Sequence, residues 1–245
     1  MNLILLEKEE SQICWKTEDP RTQHVRNVLG LGVGDSFFVG IENGRIGKAQ
    51  ILEDGPEGIM ISMDLQWDSP SPLPVDILIG LPRPQVARRL LREIPSLGPG
   101  NVTFFIADKS EPSYQLSKLW KTREWEKLLQ EGAEQAFSTF VPRIRHMESL
   151  TEAIKGLECK EGRIAFDLYE TEGSFDISSV KEEKRLTMAF GPEGGWTSKE
   201  RRLLRKGGFR LLALGPRVLR VETAIISALS LAASHLGSLD IPLVP

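Results

Sequence analysis

Apolar and polar positions change rhythm near residue 70. Before it, short extended runs dominate: Ser36–Ile41, Arg45–Leu52 and Ile59–Trp67 carry β-branched or aromatic residues. Gly32-Val33-Gly34-Asp35 and Glu42-Asn43-Gly44 are turn-formers beside them. One segment, around Thr22 to Leu29, reads as helix. The pattern predicts a small β-barrel. Asp68-Ser69-Pro70-Ser71-Pro72-Leu73-Pro74 then interrupts the chain as a linker. It divides a domain of residues 1–70 from a domain of residues 71–245.

Beyond the linker, apolar strands alternate with amphipathic helices. Val75–Leu81, Val102–Ala107, Arg163–Leu168, Leu186–Phe190 and Arg210–Leu214 read as strands. Gln85–Ile94 places Val86, Leu90, Leu91 and Ile94 at helical spacing, and Pro95 is expected to end that helix. Ser113 to about Ala136 reads as one long helix with Leu116, Leu119, Trp120, Leu128, Leu129 and Ala133 inward. Ser198–Lys206 and Glu222–Leu236 are further helices. Such alternation predicts an α/β fold with a mostly parallel sheet covered by helices.

Two loops carry the candidate chemistry. Phe190-Gly191-Pro192-Glu193-Gly194-Gly195 and Leu214-Gly215-Pro216-Arg217-Val218-Leu219-Arg220-Val221-Glu222-Thr223 each follow a short apolar run and lead into a helix. Glycine lets the backbone approach a ligand closely, and proline stiffens the turn. Ligands of open α/β sheets bind at the carboxyl ends of strands. The first loop alone is compatible with an ordinary strand–helix connection, with Thr197 or Ser198 as N-cap and Glu200 in the first turn. Two such loops with Arg217, Arg220 and Glu222 clustered in the second point to a ligand site.

Other motifs are excluded. Gly30-Leu31-Gly32-Val33-Gly34 lacks dinucleotide-fingerprint spacing and precedes a strand, and no P-loop occurs. His24, His146 and His235 are isolated, so no metal-ligand spacing appears. Cys14 and Cys159 are far apart and read as thiols of a reducing cytosol. Met1–Glu7 lacks the basic start of a signal peptide, and the apolar run from Ala224 to Leu236 is too short to span a bilayer. A cytoplasmic protein is expected. Charge is uneven: residues 1–70 carry 6 Lys+Arg against 12 Asp+Glu, while residues 71–245 carry 25 against 22. A nucleic-acid partner would therefore be met mainly by the second part. Arg88, Arg89 and Arg92, with Arg83 just before them, make either a solvated helix face or a phosphate-contacting patch. Arg201, Arg202, Arg205 and Lys206 pose the same choice.

The two loops, extended to Phe190–Glu200 and Leu214–Ala224, resemble the signature loops of the RsmE-like methyltransferases of the SPOUT superfamily. Weaker likeness covers His24–Leu29 with Gly34-Asp35, and Glu134-Gln135 with Val141-Pro142. The resemblance implies a PUA-like N-terminal barrel for RNA recognition and a C-terminal SPOUT domain with a trefoil knot. It implies a homodimer that uses S-adenosyl-L-methionine, without a metal, to methylate N3 of a uridine in 16S ribosomal RNA of the small subunit. Leu168, Phe190, Gly191, Pro192, Glu193, Gly194 and Gly195 are then expected around the cofactor, together with Leu214, Gly215, Val218, Leu219 and Thr223. Asp167-Leu168-Tyr169 would form a third wall. Arg220, then Arg217, would stabilise the uracil anion, and Glu222 would orient Arg220 or accept a proton. Arg26, Arg83, Arg88, Arg89 and Arg92 are the expected RNA contacts; in the acidic first domain either a small basic patch of Arg21, Arg26, Arg45 and Lys48 makes the contact, or that domain positions the dimer more than it grips RNA. The chain departs from the family pattern at Gly30, Ala136–Thr139 and Leu81–Gly98, on the side expected to face RNA. A SPOUT enzyme acting on another RNA position and a non-catalytic RNA-binding assembly factor are the alternatives.

Overall fold

The computed structural model describes residues 3–7, 12–157, 162–176, 184–236 and 238–240. Cys159 lies outside the described residues. The chain forms two compact units, one of residues up to Ser71 with Gln130–Val141, the other of Pro72–Leu129 and most of the chain from Pro142 onward.

The first unit contains β1 (Leu3–Leu6), β2 (Gln12–Lys16), α1 (Pro20–Gln23) running into a wider π turn over His24–Leu29, β3 (Ser36–Ile41), β4 (Arg45–Gly55) and β5 (Gly58–Asp68). The strands form one sheet in the order β1-β3-β4-β5-β2, parallel only between β1 and β3. Register shifts at Ile46/Gly47 and Ile51/Glu53 curl the β4–β5 ribbon. Alternate residues, among them Val39, Ile51, Ile59 and Ile61, pack with Trp15 and Val25 in the core. Leu3 and Leu5 face a second cluster with Ile46, Ala133 and Phe137, so part of the segment 130–141 completes this unit. Thr139 fastens it, its hydroxyl donating to the Gly44 carbonyl at 2.7 Å.

The second unit contains β6 (Leu73–Gly80), α2 (Pro84–Leu97), β7 (Pro99–Phe105), a 3-10 turn (Pro112–Leu116), α3 (Lys118–Lys121) and α4 (Glu124–Gln135), whose last residues belong to the first unit. It continues with β8 (Arg143–Met147), α5 (Leu150–Lys155), β9 (Arg163–Phe166), β10 (Leu186–Phe190), α6 (Ser198–Lys206), β11 (Arg210–Leu212) and α7 (Val221–His235). Its six strands are all parallel in the order β11-β9-β10-β6-β7-β8. β9 and β10 are buried throughout, as central parallel strands must be when both faces are covered. The predicted α/β fold with a parallel sheet is present.

Two expected helix boundaries are wrong. Pro95 does not end α2: the helix runs on to Leu97 and stops where Gly98, at φ +64°, donates to the carbonyls of Ile94 and Pro95. The buried Pro95 ring forfeits one hydrogen bond, with only the last turn left to build. The long helix over 113–136 is broken, because Arg123 takes a left-handed conformation at φ +57° and the helix restarts at Glu124. Leu116, expected inward, lies in the 3-10 turn and is 59% exposed. β1, β2, β8 and α5 were not predicted. Among the described residues, no helix is long and apolar enough to cross a membrane.

Candidate active site

After β6 the sheet grows outward through β7 and β8; β10, β9 and β11 lie on the other side of β6. This reversal at the β6–β10 pair leaves a crevice beyond the strands' carboxyl ends, where ligands of open α/β sheets bind. A cavity of about 590 Å³ lies there. Loops after β6, β9, β10 and β11 line it, with Arg83, Val86, Phe166–Tyr169, Phe190–Trp196, Leu214 and Arg217–Glu222 among the wall residues.

The first Gly-Pro loop is fixed by contacts far away in sequence. The Trp196 indole N–H donates to the Phe166 carbonyl at 2.8 Å, and its ring stacks on Phe105 with an interplanar angle of 3°. The Lys109 ammonium donates to the Gly194 carbonyl at 2.9 Å. The Glu193 carboxylate accepts the Arg83 backbone N–H at 3.0 Å, satisfying one donor at the start of α2. Thr197 and Glu200 close a capping box at α6, as the N-cap reading anticipated. β6 must end in glycine here: a Cβ on Gly80 would lie 2.8 Å from the Pro192 nitrogen. Gly195 sits at φ +64° with open space where a side chain would point. Its Cα faces the cavity unscreened, while its N–H is taken by the Pro192 carbonyl at 2.8 Å.

The loop after β9 is held by a buried ion pair. Arg201 Nε donates to Asp167 Oδ2 at 2.6 Å, with the side chains 8% and 3% exposed. Burial pushes the Asp167 carboxyl up, but the Arg201 guanidinium and the amides of Leu168 and Glu170 outweigh it. The carboxyl is held below its ordinary range. Arg205 pairs with Glu170 at 2.8 Å. Arg201 and Arg205 are thus structural cations of α6.

The second Gly-Pro loop presents Arg217, Val218 and Arg220 outward. Among the described residues, neither of these guanidinium groups forms a hydrogen bond or ion pair. Arg220 is the N-cap of α7, whose first turn opens onto the cavity. Glu222 does not hold Arg220; its carboxylate lies 3.8 Å from Arg89, which reaches it from α2.

The structure brings most of the expected site residues together. Leu168, Phe190 to Gly195, Leu214, Val218 and Leu219 line the cavity with Arg217, Arg220 and Glu222. Gly215 and Thr223 do not; both are exposed beside it. Phe166, Trp196, Val86, Val221 and Ala224 line it unforeseen, and the Gly-Pro spacing gave no signal for them. The expected RNA contacts fare differently. Arg83 lines the cavity mouth. Arg88 makes two bonds to Glu124, at 2.9 and 3.1 Å, and Arg89 faces Glu222. Arg92 is exposed on α2 and has a partner of its own. Arg26 is held inside the first unit by Asp54 and by the carbonyls of Gly55 and Gly58. Nearby cations are likewise engaged: Arg21 with Asp19, Arg45 within 4.0 Å of Asp68, and Lys48 over the Phe38 ring. The acidic composition of this unit supplies the carboxylates that satisfy its arginines.

Backbone loops gathered at the carboxyl ends of parallel strands, with Arg217 and Arg220 at the rim, make up the candidate site. The RNA methyltransferase domain family matches residues 69–233. The ribosomal RNA small subunit methyltransferase E of Treponema pallidum is 32% identical over 99% of this chain and 95% of its own length. The ribosomal RNA small subunit methyltransferase E 1 of Borreliella burgdorferi is 29% identical over 96% of this chain and 99% of its own. A crystal structure of the Neisseria gonorrhoeae enzyme of the same name, bound to S-adenosyl methionine, shares the fold. Its TM-score is 0.81 at 18% identity, over 96% of this chain and 97% of that one. The chain belongs to the ribosomal RNA small subunit methyltransferase E family.

Proposed function

We propose that the chain transfers a methyl group from S-adenosyl-L-methionine to N3 of a uridine in 16S ribosomal RNA, in the cytoplasm and as a homodimer. The observation that carries this reading is the glycine-walled cavity beside two guanidinium groups, Arg217 and Arg220, that have no partner among the described residues. Its residues fit the donor. The side-chain-free wall of Gly191, Gly194 and Gly195 lets a ligand come close to the backbone, and Phe166, Phe190, Leu168 and Leu219 supply apolar walls. When bound, S-adenosylmethionine supplies an electrophilic methyl on a sulfonium.

The protein's part is to orient the acceptor and stabilise its charge. Uracil N3 must lose its proton to become a nucleophile, and Arg220 stabilises the negative charge that spreads to O2 and O4. Arg217 assists or holds a phosphate. Glu222, facing Arg89 across the cavity wall, accepts the N3 proton. Holding the two reacting atoms in line reduces the entropic barrier. The uridine must be exposed or flipped from its RNA stack to reach this rim. In this reading residues 1–70 form a PUA-like RNA-recognition domain, residues 71–245 a SPOUT domain with a trefoil knot, and Arg83 and Arg92 contact RNA.

The engagement of Arg26 and Arg88 with carboxylates favours one second reading, methylation at another RNA position. Mass mapping of ribosomal RNA from a deletion strain separates the two. Loss of 3-methyluridine from the small subunit, restored by the wild-type gene and not by Arg220→Ala, is the expected result. An unchanged uridine with a different lost methyl group selects the second reading.

A further inference from the structure

Tyr169 has an unusual setting. It is 78% exposed, yet the turn carrying it is anchored at both ends. The Asp167 amide bonds to the Leu212 carbonyl at 3.1 Å, and Glu172 N–H to the Leu211 carbonyl at 2.7 Å, so both ends of the turn are pinned to β11. Asp167 accepts the Glu170 N–H at 3.1 Å and the buried Arg201, while Arg205 grips the Glu170 side chain and carbonyl. The Arg201 guanidinium lies over one face of the Tyr169 ring, 5.5 Å from its centre. That contact blocks retreat toward the interior and leaves the opposite face bare. Tyr169 lines the same cavity as Leu168 and Val218, which are 49% and 79% exposed. A rigid turn that leaves so much apolar area in water, at the mouth of a nucleotide-sized cavity, has the form of a platform awaiting a flat ring.

We infer that Tyr169 stacks on a nucleobase ring in this cavity, either the donor's adenine or the target base. The inference rests on the proposed function, because only that reading brings such rings here. It also gives the Asp167–Arg201 pair a purpose beyond stability: it sets the plane of the tyrosine.

The test uses the full-length protein, calorimetric titration with S-adenosylmethionine, and steady-state methylation of small-subunit ribosomal RNA. The variants are Tyr169→Ala and Tyr169→Phe, with thermal midpoints checked; the side chain is exposed, so both are expected to fold. Loss of a stacked base costs roughly tenfold in affinity or more. If adenine is the ring, Tyr169→Ala weakens donor binding by that factor. If the target base is the ring, donor binding stays at the wild-type value and KM for RNA rises. In either case Tyr169→Phe, which keeps the π face, behaves as wild type. Wild-type constants in Tyr169→Ala, or equal damage in Tyr169→Phe, overturn the inference while the proposed function stands. Failure of the unaltered protein to bind S-adenosylmethionine overturns both.

Discussion

The two Gly-Pro loops have similar sequences and opposite surroundings. The loop after β10 is braced by Trp196, Lys109 and Glu193, each bonded to an element elsewhere in the chain. The loop between β11 and α7 is tied only at its start, where Ala213 bonds to Gly173 and Phe175; Gly215 to Val218 are exposed, and its two guanidinium groups find no partner among the described residues. One is a wall already built, and the other is a set of charges held ready. On the proposed reading the difference separates shape, which must precede the ligand, from electrostatics, which acts only when the acceptor's charge develops.

Removing the braces should damage stability, and removing the charges should damage rate. The largest effect is expected at Asp167–Arg201. Arg201→Met strands a buried carboxylate and should cost about 3–5 kcal/mol in urea unfolding at neutral pH. The pH dependence fixes the cause. In the wild type the Asp167 carboxyl is depressed, so its contribution is complete above the ordinary aspartate value and is lost as pH falls below it. In Arg201→Met burial is opposed only by the Leu168 and Glu170 amides, so the carboxyl is less depressed and the gap between the two proteins should narrow on acidification. A gap independent of pH would refute the ion pair as the source.

Arg220→Ala is next and should separate the loops most cleanly. Methylation should fall about 10²–10³-fold, as on removal of one transition-state donor, with donor affinity and unfolding midpoint near wild type. An equal loss in donor affinity would mean that the second loop is also a wall. Trp196→Phe removes the bond to Phe166 and should cost about 1–3 kcal/mol of stability, with donor binding weakened in parallel. Gly195→Ala is expected to be mildest. Nothing crowds the new methyl, so the left-handed backbone alone should cost about 1–2 kcal/mol. A much larger loss of donor affinity than of stability there would show that the methyl occupies ligand space.

Legibility in the sequence followed locality. Ser36–Ile41, Leu186–Phe190 and Ser198–Lys206 match their predicted bounds because each carries its signal within a few residues: aromatic and β-branched residues between turn-formers, a mostly apolar run, and a Thr-x-x-Glu cap. β8 escaped because Arg-Ile-Arg-His-Met is the polar strand of a sheet edge. The Gly-Pro loops were readable for the same local reason. Which cations remain unpaired was not, because the deciding carboxylates, Glu124 for Arg88, Glu222 for Arg89 and Asp54 for Arg26, lie far along the chain. Periodicity shows which face a residue occupies and not what waits opposite.

The place of β10 in the sheet bears on how the protein is made. This strand pairs with both β9 and β6, so the middle of the sheet stays open until a segment late in the chain has left the ribosome. The nascent protein can pair β6 with β7 and β8 early, but the cavity is incomplete until α7 emerges, since Arg220, Val221, Glu222 and Ala224 line it. Contacts of such long sequence separation also form slowly. On the proposed reading activity therefore waits for α7, and a chain stopped before it carries the first unit's strands with no completed site.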